Sequence, residues 1–324
     1  MQTALYGSIG WKHPFGIYQV LKWAKEFGWA SVDARGMTLD IPGGPKKQLT
    51  AFGYDMLGPR QVRPTSRRQI KAFCEEIGIP IICLYIPAPV NLEGDLGEKN
   101  RTLFGEFLRL AADLDIKWVR AINNTTESYS GVPFSEEQAF TRTVEGLRAV
   151  GGLAADLGVG ILLENNENTT TTCASDLLQM QNAVQDVCEV GIAYDATNAY
   201  FQGLNELDEL QELAGSISFL HLKNVKRHVG VQGDSSHTPE LGYMPRGEFA
   251  YEWTSLADGD IRWETILKSA KTSGFDGPLT FEYVNPFKGM LPDYWNMLRE
   301  PEFAAQQEGQ YLNQLLAELA ADAP

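Results

Sequence analysis

Five times along this chain a helix-forming stretch stops at a glycine and gives way within a few residues to a short apolar strand, at Gly28, Gly78, Gly158, Gly215 and Gly274. Glycine closes helices because it accepts the left-handed conformation without a Cβ clash. Strand–helix alternation without hairpin signals implies parallel strands joined by right-handed crossovers. The full count is eight strand–helix units, the number that closes a barrel. An open doubly wound sheet would carry a Gly-x-Gly-x-x-Gly turn after an early strand, and the sequence has none. The expected fold is therefore α/β, a single (β/α)8 TIM barrel over residues 1–324 with long loops on its C-terminal face.

The units fall in order. Strands are expected at 3–9, 30–35, 80–86 and 117–123, and then in the apolar runs that end at Glu164, Asp195, His221 and Glu282. In the second strand Asp33 and Arg35 share one face, since strand residues alternate sides. Helices are expected at 17–27, 65–77, 96–114, 175–187, 206–213 and 263–273, with a closing segment over 292–321. Ser135 and Gln138 form a capping box, opening a helix that runs to Gly158 with Phe140, Val144, Leu147 and Ala154 on one stripe. Two insertions, 36–64 and 225–260, lack clear periodicity and read as loops, the first as a lid over the site.

Composition narrows the partners. Forty-two acids against 27 bases give a formal net charge of -15 with no basic run. Nucleic-acid binding needs clustered Lys and Arg to displace counterions, so that class is excluded. No apolar run approaches ~18–20 residues, so no membrane span is expected. The start of the chain lacks a basic n-region and apolar core, and Cys74, Cys83, Cys173 and Cys188 show no Cys-x-x-Cys spacing. Together they suit reduced thiols in a cytoplasmic protein. The closing helix and the segment 294–298 offer a surface for a homo-oligomer, against which packing on the barrel's outer ring is the stronger expectation.

The chemistry sits at strand ends. Gly160-Ile-Leu-Leu-Glu164, Val190-Gly-Ile-Ala-Tyr-Asp195, Ser218-Phe-Leu-His-Leu-Lys-Asn224 and Pro278-Leu-Thr-Phe-Glu282 each run apolar and then deliver a polar group. In a barrel those ends share one face, where active sites lie. Taken singly, Asp195 can cap a helix and His221 can be a core histidine. A glutamate closing a buried parallel strand is rarely left unpaired or uncoordinated. Glu164, Asp195, His221 and Glu282 together form an oxygen-rich set suited to one divalent cation, Mn2+ first, with Mg2+ or Co2+ as alternatives. Lys223, on the same strand face as His221, either polarises a substrate carbonyl or pairs with an acid. Trp11 and His13, after the first strand, line the substrate pocket or serve packing, and Glu167 reads as a solvated loop charge.

The motifs Leu163-Glu-Asn165, Tyr194-Asp-Ala-Thr-Asn198, His221-Leu-Lys-Asn-Val-Lys-Arg227 and Gly274-Phe-Asp-Gly-Pro-Leu-Thr-Phe-Glu282 resemble the xylose isomerase-like TIM-barrel superfamily of sugar isomerases and epimerases. That superfamily includes ketose 3-epimerase, hydroxypyruvate isomerase and inosose dehydratase relatives. The resemblance is clear over 158–282 and architectural before that. It implies that Glu164, Asp195, His221 and Glu282 are metal ligands, that the two glutamates are the catalytic acid and base, and that Arg227 contacts substrate oxygens. Asn166, Thr170 and Asn198 stand where relatives carry histidine, glutamate and histidine, so this chain's substrate contacts differ, with Asn166 and Asn198 as candidates.

The expected activity is metal-dependent isomerisation or epimerisation of a small sugar or polyol-derived carbonyl compound, by proton transfer through an enediolate. The same first step followed by loss of a β-leaving group gives a dehydratase or lyase acting on an inosose or 3-oxo sugar. A sugar-binding barrel without turnover is the alternative outside enzymes.

Overall fold

The computed structural model describes residues 1–7, 16–36, 42, 57–121, 135–166, 169–229, 243–246, 249–282 and 301–321. In chain order the first half alternates β1 (Gln2–Tyr6), α1 (Gly16–Glu26), β2 (Ser31–Arg35), α2 (Pro64–Ile77), β3 (Ile81–Ile86), α3 (Gly94–Asp113), β4 (Trp118–Ala121) and α4 (Glu136–Leu157). There follow β5 (Gly160–Glu164), α5 (Ala174–Val184), β6 (Val190–Asp195), α6 (Ala196–Phe201), α7 (Glu206–Glu212) and β7 (Ile217–Leu222). Then come β8 (Asn224–Val229), β9 (Tyr243–Arg246), β10 (Phe249–Thr254), α8 (Trp263–Thr272), β11 (Pro278–Phe281) and α9 (Pro301–Ala321).

Eight strands close in the order β1-β11-β7-β6-β5-β4-β3-β2, all pairs parallel. The expected (β/α)8 TIM barrel is the fold. All five glycines that end its repeating unit have positive φ, from 65° at Gly158 to 87° at Gly274. The capping box of Ser135 and Gln138 forms in both directions. Most element boundaries move by one to four residues from expectation; α9 is described from Pro301, and residues 294–300 lie outside the described set.

Strand alternation sorts side chains into two cores. Leu163, Ile192, Tyr194, Leu220, Leu222, Leu279 and Phe281 point outward and join the layer between sheet and helices. Cys83, Leu162, Ala193 and Phe219 point inward and plug the lower barrel with Ile82 and Trp118. Gly160 is required there: a Cβ on it would collide with the Trp118 ring. One residue pair further along, the inward positions become Glu164, Asp195 and His221, so the polar centre is a layer stacked on an apolar plug.

The insertion 225–260 is not the loop expected from sequence. Its described part forms a three-stranded antiparallel sheet, β8-β10-β9. β-Prone Val, Tyr, Trp and Thr drive it. Asn224, the first residue of β8, anchors this sheet to the segment that follows it. Its Nδ2 donates to the Leu256 and Ile261 carbonyls at 2.7 and 2.9 Å, and its Oδ1 accepts from the Val225 and Ile261 amides at 2.9 and 3.0 Å. Asn224→Ala strands buried backbone groups, and a loss of about 3 kcal/mol is expected in urea unfolding; a change under about 0.5 kcal/mol would refute the anchor.

The lid expected over 36–64 lies mainly outside the described residues; at its two ends Gly36 bridges Leu57 in parallel. Helix α9 packs on the outer ring. Trp29 Nε1 donates to the Ala305 carbonyl at 3.0 Å, and the buried Glu308 accepts from the Leu256 amide at 3.0 Å. Among the described residues no helix is long and apolar enough to cross a membrane, and the four cysteines are unpaired.

Candidate active site

Glu164 ends β5, Asp195 ends β6, His221 is the penultimate residue of β7 and Glu282 follows β11 directly. Neighbouring parallel strands place these ends side by side, and one ligand atom from each lies within 4.8 Å of all the others. His221 Nδ1 is 3.3 Å from Glu164 Oε1 and 3.9 Å from Glu282 Oε2. Lys223 reaches the same point, its Nζ 2.8 Å from Asp195 Oδ2 and 3.1 Å from Glu282 Oε2. Lys223 is therefore paired with acids in this structure. The two readings of Asp195 do not exclude one another, because Oδ1 caps α6, accepting from Thr197 N and Asn198 N at 2.9 and 3.1 Å, while Oδ2 faces the centre.

The strand ends are fixed by amides. Asn165 bridges to Asp195 in both directions, Nδ2 to its carbonyl and Oδ1 from its amide, each at 2.8 Å. Asn198 Nδ2 donates to the Asn165 carbonyl at 2.8 Å, so this substrate-contact candidate uses its amide nitrogen to lock β5 to β6. Asn166 is half-buried in the following turn, where its amide bonds to the Thr171 carbonyl at 2.9 Å. Arg227 is exposed on β8 with its guanidinium 5.7 Å from the Tyr200 ring centre. Trp11, His13 and Glu167 lie outside the described residues.

Two charged groups in the centre were not assigned to the site from sequence. Arg120 on β4 is 2% exposed, and its Nη1 donates to Glu164 Oε2 in an ion pair buried on both sides. Asp33 on β2 is wholly buried, with Oδ2 3.3 Å from His221 Nε2. An arginine inside the apolar strand Trp118-Val-Arg-Ala121 was the available signal, since charge is rarely buried without a partner.

Four carboxylates in one low-dielectric layer make the centre hungry for positive charge. Burial and Arg120 pull the His221 imidazole down, yet Glu164, Asp33 and Glu282 outweigh them and raise it to about 9. Lys223, too, is opposed by burial but pushed above its ordinary range by Asp195 and Glu282. Burial raises Glu282, but Lys223 and His221 prevail and hold it well below the usual carboxylate range. Asp195 is raised, by burial and by Glu164 and Glu282, against Lys223. His221 Nδ1 is buried without a hydrogen bond of normal geometry while facing two carboxylates. Three carboxylates and an imidazole nitrogen converging on one point fit a divalent cation.

The chain is a (β/α)8 barrel whose ionisable groups gather at the carboxyl ends of the strands, the face on which barrel enzymes build their active sites. Within that class, the chain belongs to the xylose isomerase-like TIM barrel family, whose pattern matches residues 21–315. It is 23% identical over 172 residues to the inosose dehydratase of Geobacillus thermodenitrificans, covering 51% of this chain and 56% of that protein. The match thus spans about half the length of the curated relative. The IOLI protein, solved with a binding zinc atom, superposes with a TM-score of 0.71 at 18% identity, covering 98% of this chain and 99% of the other. D-Psicose 3-epimerase of Clostridium cellulolyticum H10, solved with D-tagatose, gives 0.67 at 14% identity over 98% and 99% of the two chains. At such identities the structural likeness establishes the shared fold. The chain thus resembles an inosose dehydratase in sequence and a D-psicose 3-epimerase in fold.

Proposed function

We propose that this barrel enolises a small polyhydroxylated carbonyl compound and acts as a sugar isomerase or epimerase. The observation that carries this reading is the placement of two glutamates on β5 and beyond β11, with β6 and β7 between them, so that they approach one point from different sides. Glu164, Asp195, His221 and Glu282 would hold a divalent ion, Mn2+ first by donor set, with Mg2+ and Co2+ as alternatives. When bound, that ion supplies Lewis acidity that acidifies the neighbouring C–H and stabilises developing negative charge.

The chain's own groups do the rest. Glu282, kept anionic by Lys223 and His221, removes the proton beside the carbonyl. The Lys223 ammonium, 3.1 Å from Glu282, donates to the oxygen that gains charge. Glu164 serves the other face, delivering the proton that completes an epimer and removing it in the reverse direction. Asn166, Asn198 and Arg227, with Trp11 and His13 from the first loop, are the proposed substrate contacts.

A second reading is dehydration, favoured by two observations. The curated relative matched by sequence is an inosose dehydratase, and Arg120 engages Glu164 in a buried ion pair that a protonated Glu164 would lose. Elimination needs one base and an acid for the departing hydroxyl, roles that Glu282 and Lys223 can fill side by side.

The test is proton NMR of Mn2+-loaded protein in D2O with ketoses, inososes and 3-oxo sugars. Deuterium beside a carbonyl is the expected result, and an epimer, an isomer or an unsaturated ketone names the reaction; no exchange with any of them would remove the reading. Metal binding is tested separately by calorimetry on chelator-cleared protein. One Mn2+ per chain is expected, with a gain of about 2.7 kcal/mol in stability at a hundredfold excess over Kd. A protein that takes up no ion and gains no stability would leave the four residues without that role.

A further inference from the structure

The two ring nitrogens of His221 face different parts of the barrel. Nδ1 is turned to the four-residue centre, 3.3 Å from Glu164 Oε1 and 3.9 Å from Glu282 Oε2. Nε2 is turned to β2, 3.3 Å from Oδ2 of Asp33, and both of these side chains are wholly buried. A neutral imidazole carries one N–H, and the hydrogen bond made by one nitrogen decides whether the other offers a lone pair. With Nδ1 toward the centre, a cation held there needs the proton on Nε2, the atom that Asp33 faces.

The surroundings of Asp33 suit that task. Neither of its oxygens has a hydrogen bond of normal geometry, and both are buried. Its register neighbours are Tyr6 on β1 and Cys83 on β3. Burial first, and then the charge of Asp33, keep the Cys83 thiol protonated, so it brings a weak donor and no positive charge. Arg120 feels the charge of Asp33, but its ion pair is with Glu164. A carboxylate this deep is costly without a partner, and the imidazole N–H is the one at hand.

The backbone is irregular at both members of the pair. Between Val32 and Asp33 the ladder shifts, with β3 carrying one extra residue, and between Ile192 and Ala193 it shifts again, with β7 carrying the extra one. The second shift brings His221 opposite Asp195. Irregularities of this kind re-aim side chains beside active sites. Tyr6, opposite Asp33 on β1, has its ring centre 6.1 Å from that of the imidazole and limits its rotation.

We infer that Asp33 is a positioning residue. It accepts the Nε2–H of His221, holds the imidazole in the tautomer that turns a lone pair on Nδ1 to the centre, and thereby sets how tightly the centre grips a cation. This rests on the reading of Glu164, Asp195, His221 and Glu282 as a cation site and adds the group that stands behind one of its ligands.

The experiment has two readouts, neither of them turnover. Zn2+ is diamagnetic, so Zn2+-loaded protein with 15N-labelled histidine is read by two-bond 15N–1H correlation, with the His221 ring assigned by its loss in His221→Gln. A proton on Nε2 and none on Nδ1 is expected, with the Nε2–H slow to exchange with solvent. Calorimetry then compares Mn2+ binding by the parent protein and by Asp33→Asn, which keeps the shape of the side chain and loses its charge. The variant is expected to bind roughly 10- to 100-fold more weakly, the usual effect of losing the partner behind a metal-ligating histidine. Its Nε2–H signal is expected to move and to exchange faster. A proton on Nδ1 in the loaded parent overturns the inference, whether or not the variant folds. So does a folded Asp33→Asn whose affinity is within about twofold of the parent's. Weaker binding with the Nε2–H signal unchanged assigns Asp33 a structural role only and overturns it too. Those results leave the cation site standing, whereas a parent protein that takes up neither ion removes the cation site itself and the inference with it.

Discussion

Glu282→Gln is expected to slow deuterium incorporation beside the substrate carbonyl by roughly 10²–10⁴-fold, the range that a positioned general base contributes. The amide keeps the size of the side chain and one oxygen toward the cluster, but it cannot accept the proton. Glu282 is suited to that task because its side chain is 20% exposed, the most open of the four cluster residues, while Lys223 and His221 keep it charged. The fold should survive, since the residue follows β11 and its backbone amide still donates to the Leu222 carbonyl at 2.8 Å. The check is exchange at saturating Mn2+, with circular dichroism and the thermal midpoint measured alongside. Unchanged exchange in a folded, metal-loaded variant would take the base role away from Glu282.

The second large effect concerns stability. Arg120→Met removes one member of an ion pair in which each side chain is only 2% exposed, leaving the buried Glu164 carboxylate among other acids without that cation. Removal of one partner from a buried pair costs about 3–5 kcal/mol, because the remaining charge keeps its desolvation penalty without its compensation. Two lost cation–π contacts, with Tyr6 and Tyr85, act in the same direction. Equilibrium urea unfolding measures this. Glu164→Gln combined with Arg120→Met should recover part of the loss, as expected when the stranded charge is its cause. If the single Arg120→Met variant is within about 1 kcal/mol of the parent protein, the pair is not a stabilising element.

Much of the barrel could be read from the chain because its signals are local. A left-handed glycine after a helix, followed by an apolar strand, needs no knowledge of distant residues, and Gly28, Gly78, Gly158, Gly215 and Gly274 all adopt positive φ. The strand-end residues could be paired on paper because barrel topology alone makes neighbours of Glu164, Asp195, His221 and Glu282. What stayed hidden depends on register. Arg120 meets Glu164 through a side chain that reaches up one layer from a strand position opposite Leu162. Asp33 meets His221 across the barrel interior, and no spacing in the sequence announces it. The sheet of β8, β9 and β10 was missed for a different reason. Its strands mix Lys, Arg, His and Glu with aromatics, so the apolar run that marks a buried strand is absent there.

That sheet begins one residue after the strand bearing His221, yet its hydrogen-bond ladder is separate from the barrel's. Only Lys223 intervenes, and Asn224 ties the start of the sheet to Leu256 and Ile261 after β10. The proposed acid–base groups and the outlying surface that carries Arg227 therefore lie on two ladders that can mutate under different constraints. In evolutionary terms the barrel can hold its chemistry still while residues 225–254 explore new ligands. A diversified library restricted to that segment, with Asn224 kept, is the natural place to look for altered substrate preference without loss of the centre.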